Sequence, residues 1–354
     1  MVDPRRDRVN MDCPLCSRGR AWQRVDEGAG VGNDPGAMKS RVNQQGPSPT
    51  EGLEAGETFG QRMVAGVLRR ALRASLMRCF RAGRPVAQQR LWLSTLSNAS
   101  WLPRGARRVR ARVGGVPGEW VEAKSSDVTR RVVLYLHGGA YCVASPATYR
   151  SVTGGLALRC AARVFAADYR LAPEHPFPAA VDDAVAAYAG LLSAGYEPGR
   201  IFLVGDSAGG GLCLAAALRL REAGLPQPGA MALFSPWTDL SLQQLGPEPP
   251  GEVIITRAWL SECARFYLAG GDVREPLASP IFADLRDLPR VLIQAGTDEV
   301  LLPDSERMHT SLLASGAQST LHVFPRRWHI FQLQAGLLHD AGRALDEVAA
   351  FIRA

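Results

Sequence analysis

The stretch FLVGDSAGGG, residues 202–211, places one serine among four glycines directly after an apolar run. It matches the pattern G-x-S-x-G, in which a sharp strand-to-helix turn exposes the serine oxygen and leaves no room for flanking side chains. The nucleotide-binding patterns G-x-G-x-x-G and G-x-x-x-x-G-K-[ST] are absent at this turn, which argues against a phosphate cradle. Ser207 is therefore the candidate nucleophile of an acyl-transfer reaction.

A serine hydroxyl becomes an effective nucleophile when a histidine accepts its proton and a carboxylate orients that histidine. Of the six histidines, His329 lies in the loop PRRWHIF after the last apolar run, and Asp298 follows the apolar run VLIQA. The order Ser, Asp, His along the chain is the one that accompanies a G-x-S-x-G turn. We predict that Ser207, Asp298 and His329 form a catalytic triad.

The negative oxygen of a tetrahedral intermediate needs hydrogen-bond donors. The run RVVLYL ends in His137-Gly138-Gly139-Ala140, whose glycines can present backbone N–H groups. Each well-placed donor lowers the barrier by about 3 kcal/mol. We predict an oxyanion hole formed by Gly138, Gly139 and Ala208, with His137 as a hydrogen-bonding strut for the loop.

These groups need elements to position them. Apolar runs predict strands at 108–113, 119–123, 131–136, 163–167, 201–205, 230–234, 290–295 and 319–324, and helical patterns lie near 147–161, 178–193, 208–223, 303–315 and 333–353. Such alternation predicts an α/β fold with a mostly parallel sheet covered by helices on both faces. In such sheets, reactive groups collect at the carboxyl ends of the strands.

The pattern divides the chain into segments. Residues 1–57 are polar and rich in Gly and Pro, which predicts a flexible tail. Residues 58–104 contain a basic amphipathic helix from Met63, and residues 105–354 hold the catalytic domain, with a turn-rich insertion and one helix at 236–285. The basic helix could lie on a membrane surface, but we favour packing against the core or over the active site, since that is the commoner use of such a helix.

Composition excludes several functions. The chain has 354 residues, 46% of them hydrophobic, and a net charge of +7. Lysine occurs only at Lys39 and Lys124, and no basic stripe with interleaved aromatic residues accompanies the charge, so we expect no nucleic-acid partner. With no long apolar run and no signal peptide, we expect a cytoplasmic protein. Cys13 and Cys16 give half of a zinc site without a second half, so we expect no metal and, from an odd number of cysteines, reduced thiols.

The longest motifs carry a family resemblance. They are HGGAY from His137, DYRLAPEHPFPAA from Asp168, GDSAGG from Gly205, SPWTD from Ser235 and Ser279-Pro280. In this order they resemble the bacterial hormone-sensitive-lipase-like esterases, which have the α/β-hydrolase fold. The resemblance covers about residue 107 to the C-terminus.

The resemblance implies a carboxylesterase that acts without a cofactor on short- to medium-chain acyl esters, with the triad and oxyanion hole given above. It also implies a helical cap over the pocket, built from 58–104 and 236–285. The sequence departs from the family pattern at Ala140, where relatives have a third glycine, and at Arg326-Arg327, where relatives often have Gly-Met. Pro303 replaces a frequent aspartate, which is acceptable at the start of a helix.

Two alternatives stay open at this point. An amide, formamide or lactone hydrolase would use the same acyl-enzyme chemistry, because pocket shape sets the leaving group and the triad does not. A non-catalytic small-molecule binder on the same scaffold is disfavoured, since His329 is present. The natural substrate, the chain-length preference and the oligomeric state are not encoded in any motif.

Overall fold

The computed structural model describes residues 58–97, 101–124 and 130–354. Within these ranges the strands are β1 (Ala106–Val113), β2 (Val116–Ala123), β3 (Val132–Leu136), β4 (Arg163–Ala167), β5 (Ile201–Asp206), β6 (Ala230–Phe234), β7 (Val291–Gly296) and β8 (Ser319–Phe324). They form one sheet in the order β1-β2-β4-β3-β5-β6-β7-β8. The β1–β2 and β2–β4 pairs are antiparallel and the other pairs are parallel. The predicted α/β fold is confirmed.

The burial of the strands follows from their sequences. Every residue of β3, β5, β6 and β7 is buried, as expected for parallel strands with helices on both faces. The edge strand β1 is mostly exposed, and its arginines face solvent. The β1–β2 hairpin turns on Gly114 and Gly115, which both have positive φ, the conformation that a two-residue hairpin loop requires.

Eight α-helices are present in the described ranges: α1 (Phe59–Cys79), α2 (Val86–Ser97), α3 (Arg150–Cys160), α4 (Ala179–Ser193), α5 (Ala208–Glu222), α6 (Arg257–Leu268), α7 (Leu302–Ala314) and α8 (His339–Arg353). The pairs α3–α8 and α4–α5 pack together along the sheet. The last helix begins later than predicted. Phe331–Gln334 form a separate 3-10 helix, and Gly336 has a φ of 100°, which an α-helix cannot accommodate.

The helix α1 packs one apolar row against the core. Leu68, Leu72 and Leu76 face inward, whereas Val64 and Val67, which belong to the same sequence pattern, are exposed. The side chain of Thr58 caps the helix by accepting a hydrogen bond from the Gln61 N–H. The predicted packing of this helix against the core is therefore observed for the row of Leu68, Leu72 and Leu76.

The insertion at 236–285 contains α6, close to the predicted helix. Its buried Trp259 stacks on Phe80 at 4.7 Å and donates a hydrogen bond of 2.8 Å to Gln89. Gly83, between α1 and α2, donates its N–H to Glu262. The insertion therefore packs directly against the N-terminal helices.

Several sequence predictions concern residues outside the described ranges. The tail at 1–57, with Cys13 and Cys16, lies outside the described residues. The five cysteines within them are buried free thiols. Among the described helices, none has both the length and the apolar character needed to cross a membrane.

Candidate active site

Ser207 lies on a strained turn between β5 and α5. Its φ of 51° and ψ of −122° fall in a region that non-glycine residues rarely adopt, at a cost of about 1–3 kcal/mol. The flanking glycines allow the close approach, because a Cβ at Gly205 would lie 2.4 Å from Gly209 O and one at Gly209 would lie 2.0 Å from Leu136 O. Ser207 N donates to Phe234 O at 2.8 Å, which fixes the turn to the end of β6. The geometry is that of a nucleophile turn.

His329 lies in the loop after β8 and is only 1% exposed. Its Nδ1 is 3.9 Å from Oε1 of Glu299, in the loop after β7. Burial lowers the imidazole pKa, but the Glu299 carboxylate, with Glu252 and Asp206, raises it more, so the net pKa is above its usual 6.5. The environment of His329 therefore favours the imidazolium form, the form that a general base must reach during proton transfer.

Glu299 is held firmly in this position. Its Oε2 accepts hydrogen bonds from Ser235 Oγ at 2.8 Å and from Gly296 N at 2.9 Å. The other oxygen, Oε1, faces His329 without a hydrogen bond partner. Ser235 also receives a hydrogen bond of 3.4 Å from Ile330 N, next to His329. Thus Ser235, at the end of β6, connects the loops that carry the carboxylate and the imidazole.

Asp298 occupies a different environment from the one the sequence predicted. Its Oδ2 forms a salt bridge of 2.7 Å with Arg69 of α1, and its Oδ1 accepts a hydrogen bond from Thr297. The Asp298 side chain is 25% exposed, while that of Glu299 is fully buried. The backbone bond from Asp298 N to Arg327 O fixes this turn, so that residue 298 points toward α1 and residue 299 toward the imidazole. The structure thus brings Glu299, and not Asp298, against His329.

The loop after β3 also differs from its prediction. Gly138 N donates a hydrogen bond of 2.9 Å to Oδ1 of Asp206, so this N–H is already engaged. Among the described residues, the N–H groups of Gly139, Ala140 and Ala208 have no hydrogen bond partner. Ala140 has a φ of 51°, a left-handed conformation that turns its N–H away from regular pairing. The N–H groups of Gly139 and Ala208 are thus available as predicted, that of Gly138 is not, and Ala140 presents an available N–H that the sequence did not reveal.

Asp206 is the buried anchor of this loop. Its Oδ1 also accepts a hydrogen bond of 2.7 Å from Tyr135 of β3. Burial raises the Asp206 pKa to about 6, although these hydrogen bonds oppose the shift. A Cβ at Gly138 would lie 2.2 Å from Oδ2 of this carboxylate, so only glycine fits there.

His137 stabilises the loop after β3 through ring stacking and a hydrogen bond. Its ring stacks between Tyr169, at 4.4 Å, and Tyr149, at 5.9 Å. Burial lowers its pKa to about 4, so the ring is neutral at physiological pH. Its Nδ1 lies 2.7 Å from Gly138 O and must carry the proton, because the carbonyl can only accept. These contacts agree with a structural strut.

Comparison with known proteins places this geometry in a family. A family model described as the alpha/beta hydrolase fold matches residues 133–333, more than half of the chain. The crystal structure of an esterase from the bacterial hormone-sensitive lipase family superposes with a TM-score of 0.77 at 36% identity, covering 84% of this chain and 98% of that one. The chain belongs to the bacterial hormone-sensitive-lipase-like esterases.

Further relatives of this esterase support the same class. It is 42% identical over 243 residues to an acetyl-hydrolase of Streptomyces hygroscopicus, covering 68% of this chain and 81% of the relative. It also matches the crystal structure of EstE5, soaked with p-nitrophenyl butyrate, with a TM-score of 0.76, 34% identity, and coverage of 82% of this chain and 97% of that one. The predicted enzyme class, a hydrolase of carboxylic esters, is confirmed.

Proposed function

We propose that this esterase cleaves short- to medium-chain acyl esters through an acyl-enzyme intermediate. Ser207 is the nucleophile, His329 is the general base and Glu299, in place of Asp298, orients the imidazole. The observation that carries the proposal is the buried His329–Glu299 pair, held at the carboxyl edge of the sheet where the Ser207 turn also lies. Burying an imidazole and a carboxylate costs desolvation free energy that their mutual attraction offsets only in part, which supports a functional role for the pair.

The chemistry follows from the orientation of His329. Because Nδ1 faces Glu299, the opposite nitrogen, Nε2, is the one available to accept the Ser207 proton. The serine oxygen attacks the ester carbonyl, and the carbonyl electron pair moves onto the oxygen. When that pair returns, the alcohol leaves with the proton from Nε2, and the acyl group remains on Ser207. Water then repeats the sequence with His329 as base and releases the acid.

The oxyanion hole that we propose consists of the N–H groups of Gly139, Ala140 and Ala208. These three groups have no partner among the described residues, so they need no rearrangement to receive a negative oxygen. Such preorganised donors contribute about 3 kcal/mol each to transition-state stabilisation. The hydrogen bond that Gly138 N donates to Asp206 fixes the start of the same loop.

Two observations support the proposed range of substrates. One relative is named an acetyl-hydrolase, and the EstE5 crystal was soaked with a butyrate ester. The contacts of α6 with the N-terminal helices support a cap assembled from residues 58–104 and 236–285, which would limit the acyl length. We propose that this cap covers the pocket, in line with the predicted segments.

The test is hydrolysis of p-nitrophenyl acetate and butyrate by the full chain. We expect turnover by the wild type, and a loss of at least about a thousandfold in Ser207→Ala and His329→Ala. A fluorophosphonate probe should label the wild type and spare Ser207→Ala. Normal turnover in the serine variant would refute the assignment. A matched ester and anilide would separate esterase from amidase activity.

A further inference from the structure

A second buried carboxylate lies close to the proposed triad. Glu252 belongs to the insertion and is only 2% exposed. Its Oε1 accepts N–H bonds from Val253 at 2.8 Å and Ile254 at 2.7 Å, which closes a tight loop around the side chain. Its Oε2 accepts the N–H of Val300 at 3.1 Å. The proposed acyl transfer assigns no role to Glu252.

The Val300 hydrogen bond joins the insertion to the loop after β7. Val300 is the residue that follows Glu299, so the bond holds the backbone beside the carboxylate that faces His329. The approach is close, because a Cβ at Gly251 would lie 2.4 Å from Oδ2 of Asp298. Only a glycine next to Glu252 allows the two loops to meet at this distance.

Glu252 also acts on His329 by its charge. Three carboxylates raise the His329 pKa by their negative charge: Glu299 in the loop after β7, Glu252 in the insertion and Asp206 at the end of β5. The interaction is mutual: burial and the charge of Glu299 raise the Glu252 pKa, and the charge of His329 opposes that rise. The nearby Asp298 charge is paired with Arg69. Glu252 is thus the only one of these groups that the insertion supplies.

We propose that Glu252 is a positioning residue for catalysis, which fixes the Glu299 loop through Val300 and supplies a second negative charge to His329. Through Glu252, the insertion then influences the proton transfer to His329, in addition to its proposed role as a cap. The inference rests on the proposed roles of Ser207, His329 and Glu299.

The test compares Glu252→Gln with two other variants. Glutamine keeps the size of the side chain and an oxygen for the Val253 and Ile254 N–H groups, but it removes the charge. The neutral imidazole is the active form, so weaker stabilisation of the imidazolium should move the acidic limb of kcat/KM for p-nitrophenyl butyrate to lower pH, by at least about 0.5 pH unit. The kcat at the plateau should fall at least about tenfold, because the Glu299 loop loses its anchor at Val300.

Two controls separate this role from a purely structural one. Glu252→Asp keeps the charge and should leave the acidic limb near its wild-type position, with a reduced kcat. Glu248→Gln changes an exposed carboxylate of the same insertion, which accepts the Arg257 N–H, and should shift neither quantity. An unchanged acidic limb in Glu252→Gln, with only a lower unfolding temperature, would overturn the proposal.

A second measurement keeps the inference separate from the esterase proposal. The titration of His329 can be followed by NMR of its imidazole carbon, with His329→Asn used to assign the signal. We expect the His329 titration midpoint to be lower in Glu252→Gln than in the wild type, regardless of which substrate the enzyme cleaves. An equal midpoint would contradict the inference, while a lower midpoint in a protein that cleaves no tested ester would contradict the proposed function alone.

Discussion

Exchanging Glu299 for glutamine should remove most of the activity, while the neighbouring change Asp298→Asn should not. In Glu299→Gln the amide oxygen will occupy the position of Oε2, because Ser235 Oγ and Gly296 N both donate there. The amide NH₂ group then takes the place of Oε1 and faces Nδ1 of His329. A donor at that point selects the imidazole tautomer with its proton on Nε2, which cannot accept a proton from Ser207. We expect a fall in kcat of about ten-thousandfold, equivalent to about 5.5 kcal/mol.

The control change acts on a different kind of contact. Asp298→Asn weakens a partly exposed salt bridge to Arg69, which is worth up to about 1 kcal/mol, or about a fivefold change in rate. Both changes are nearly isosteric, so a comparison of their kcat values with p-nitrophenyl butyrate isolates the charge at each position. Circular dichroism and thermal unfolding should confirm that both variants fold. A loss above about a hundredfold in Asp298→Asn, with less than about tenfold in Glu299→Gln, would show that the assignment of the carboxylate is wrong.

Three further outcomes are expected. Gly138→Ala places a Cβ 2.2 Å from Oδ2 of Asp206, so it should lower the unfolding temperature and reduce kcat at least about a hundredfold. Thermal unfolding curves and steady-state kinetics would test this, and a wild-type kcat would contradict it. Arg69→Ala removes contacts with the loops after β7 and β8 and should lower kcat/KM about fivefold. Arg70→Ala, an exposed change on the same helix, should stay within about twofold of the wild type. Equal effects of the two changes would argue against a specific role of Arg69. Because the net His329 pKa is raised, kcat/KM should increase with pH through a midpoint above 6.5, and a midpoint below that value in a full pH profile would refute the electrostatic argument.

Much of the fold and part of the site follow from sequence patterns. The strands could be located because the parallel core consists of short, continuous apolar runs, and Ser207 because a glycine-rich turn follows one of them. His329 could be selected because its loop follows the last strand. These signals are local, so they need no knowledge of which loops become neighbours.

The carboxylate could not be selected by the same reasoning. Asp298 and Glu299 are adjacent, and position after a strand does not tell which of them turns inward. That choice depends on contacts between distant residues: Asp298 N binds Arg327 O, and Glu299 is captured by Ser235. Residue 299 is the buried one of the two, and the side chain of Glu299 is long enough to approach the His329 imidazole.

The available N–H groups of the loop after β3 differ from the predicted ones for a related reason. The sequence suggested that both glycines donate, because glycine leaves its N–H accessible. In the structure, the Gly138 N–H donates to Asp206, and the N–H of Ala140 is left without a partner among the described residues, in a conformation that alanine seldom adopts. Strain of this kind is imposed by the tertiary structure and leaves no local pattern in the sequence.

The contacts of Arg69 bear on how far the N-terminal helices and the catalytic body can diverge independently. This arginine belongs to α1, yet it reaches Asp298 after β7, the Arg326 carbonyl after β8 and the face of the Trp328 ring. A chimaera that grafts the N-terminal helices of another esterase onto this catalytic body would lose these contacts and should show the modest loss of kcat/KM expected for Arg69→Ala. Because residue 69 pairs with residue 298, we expect the two positions to covary among relatives, and a recombinant should keep full activity when both are transferred together.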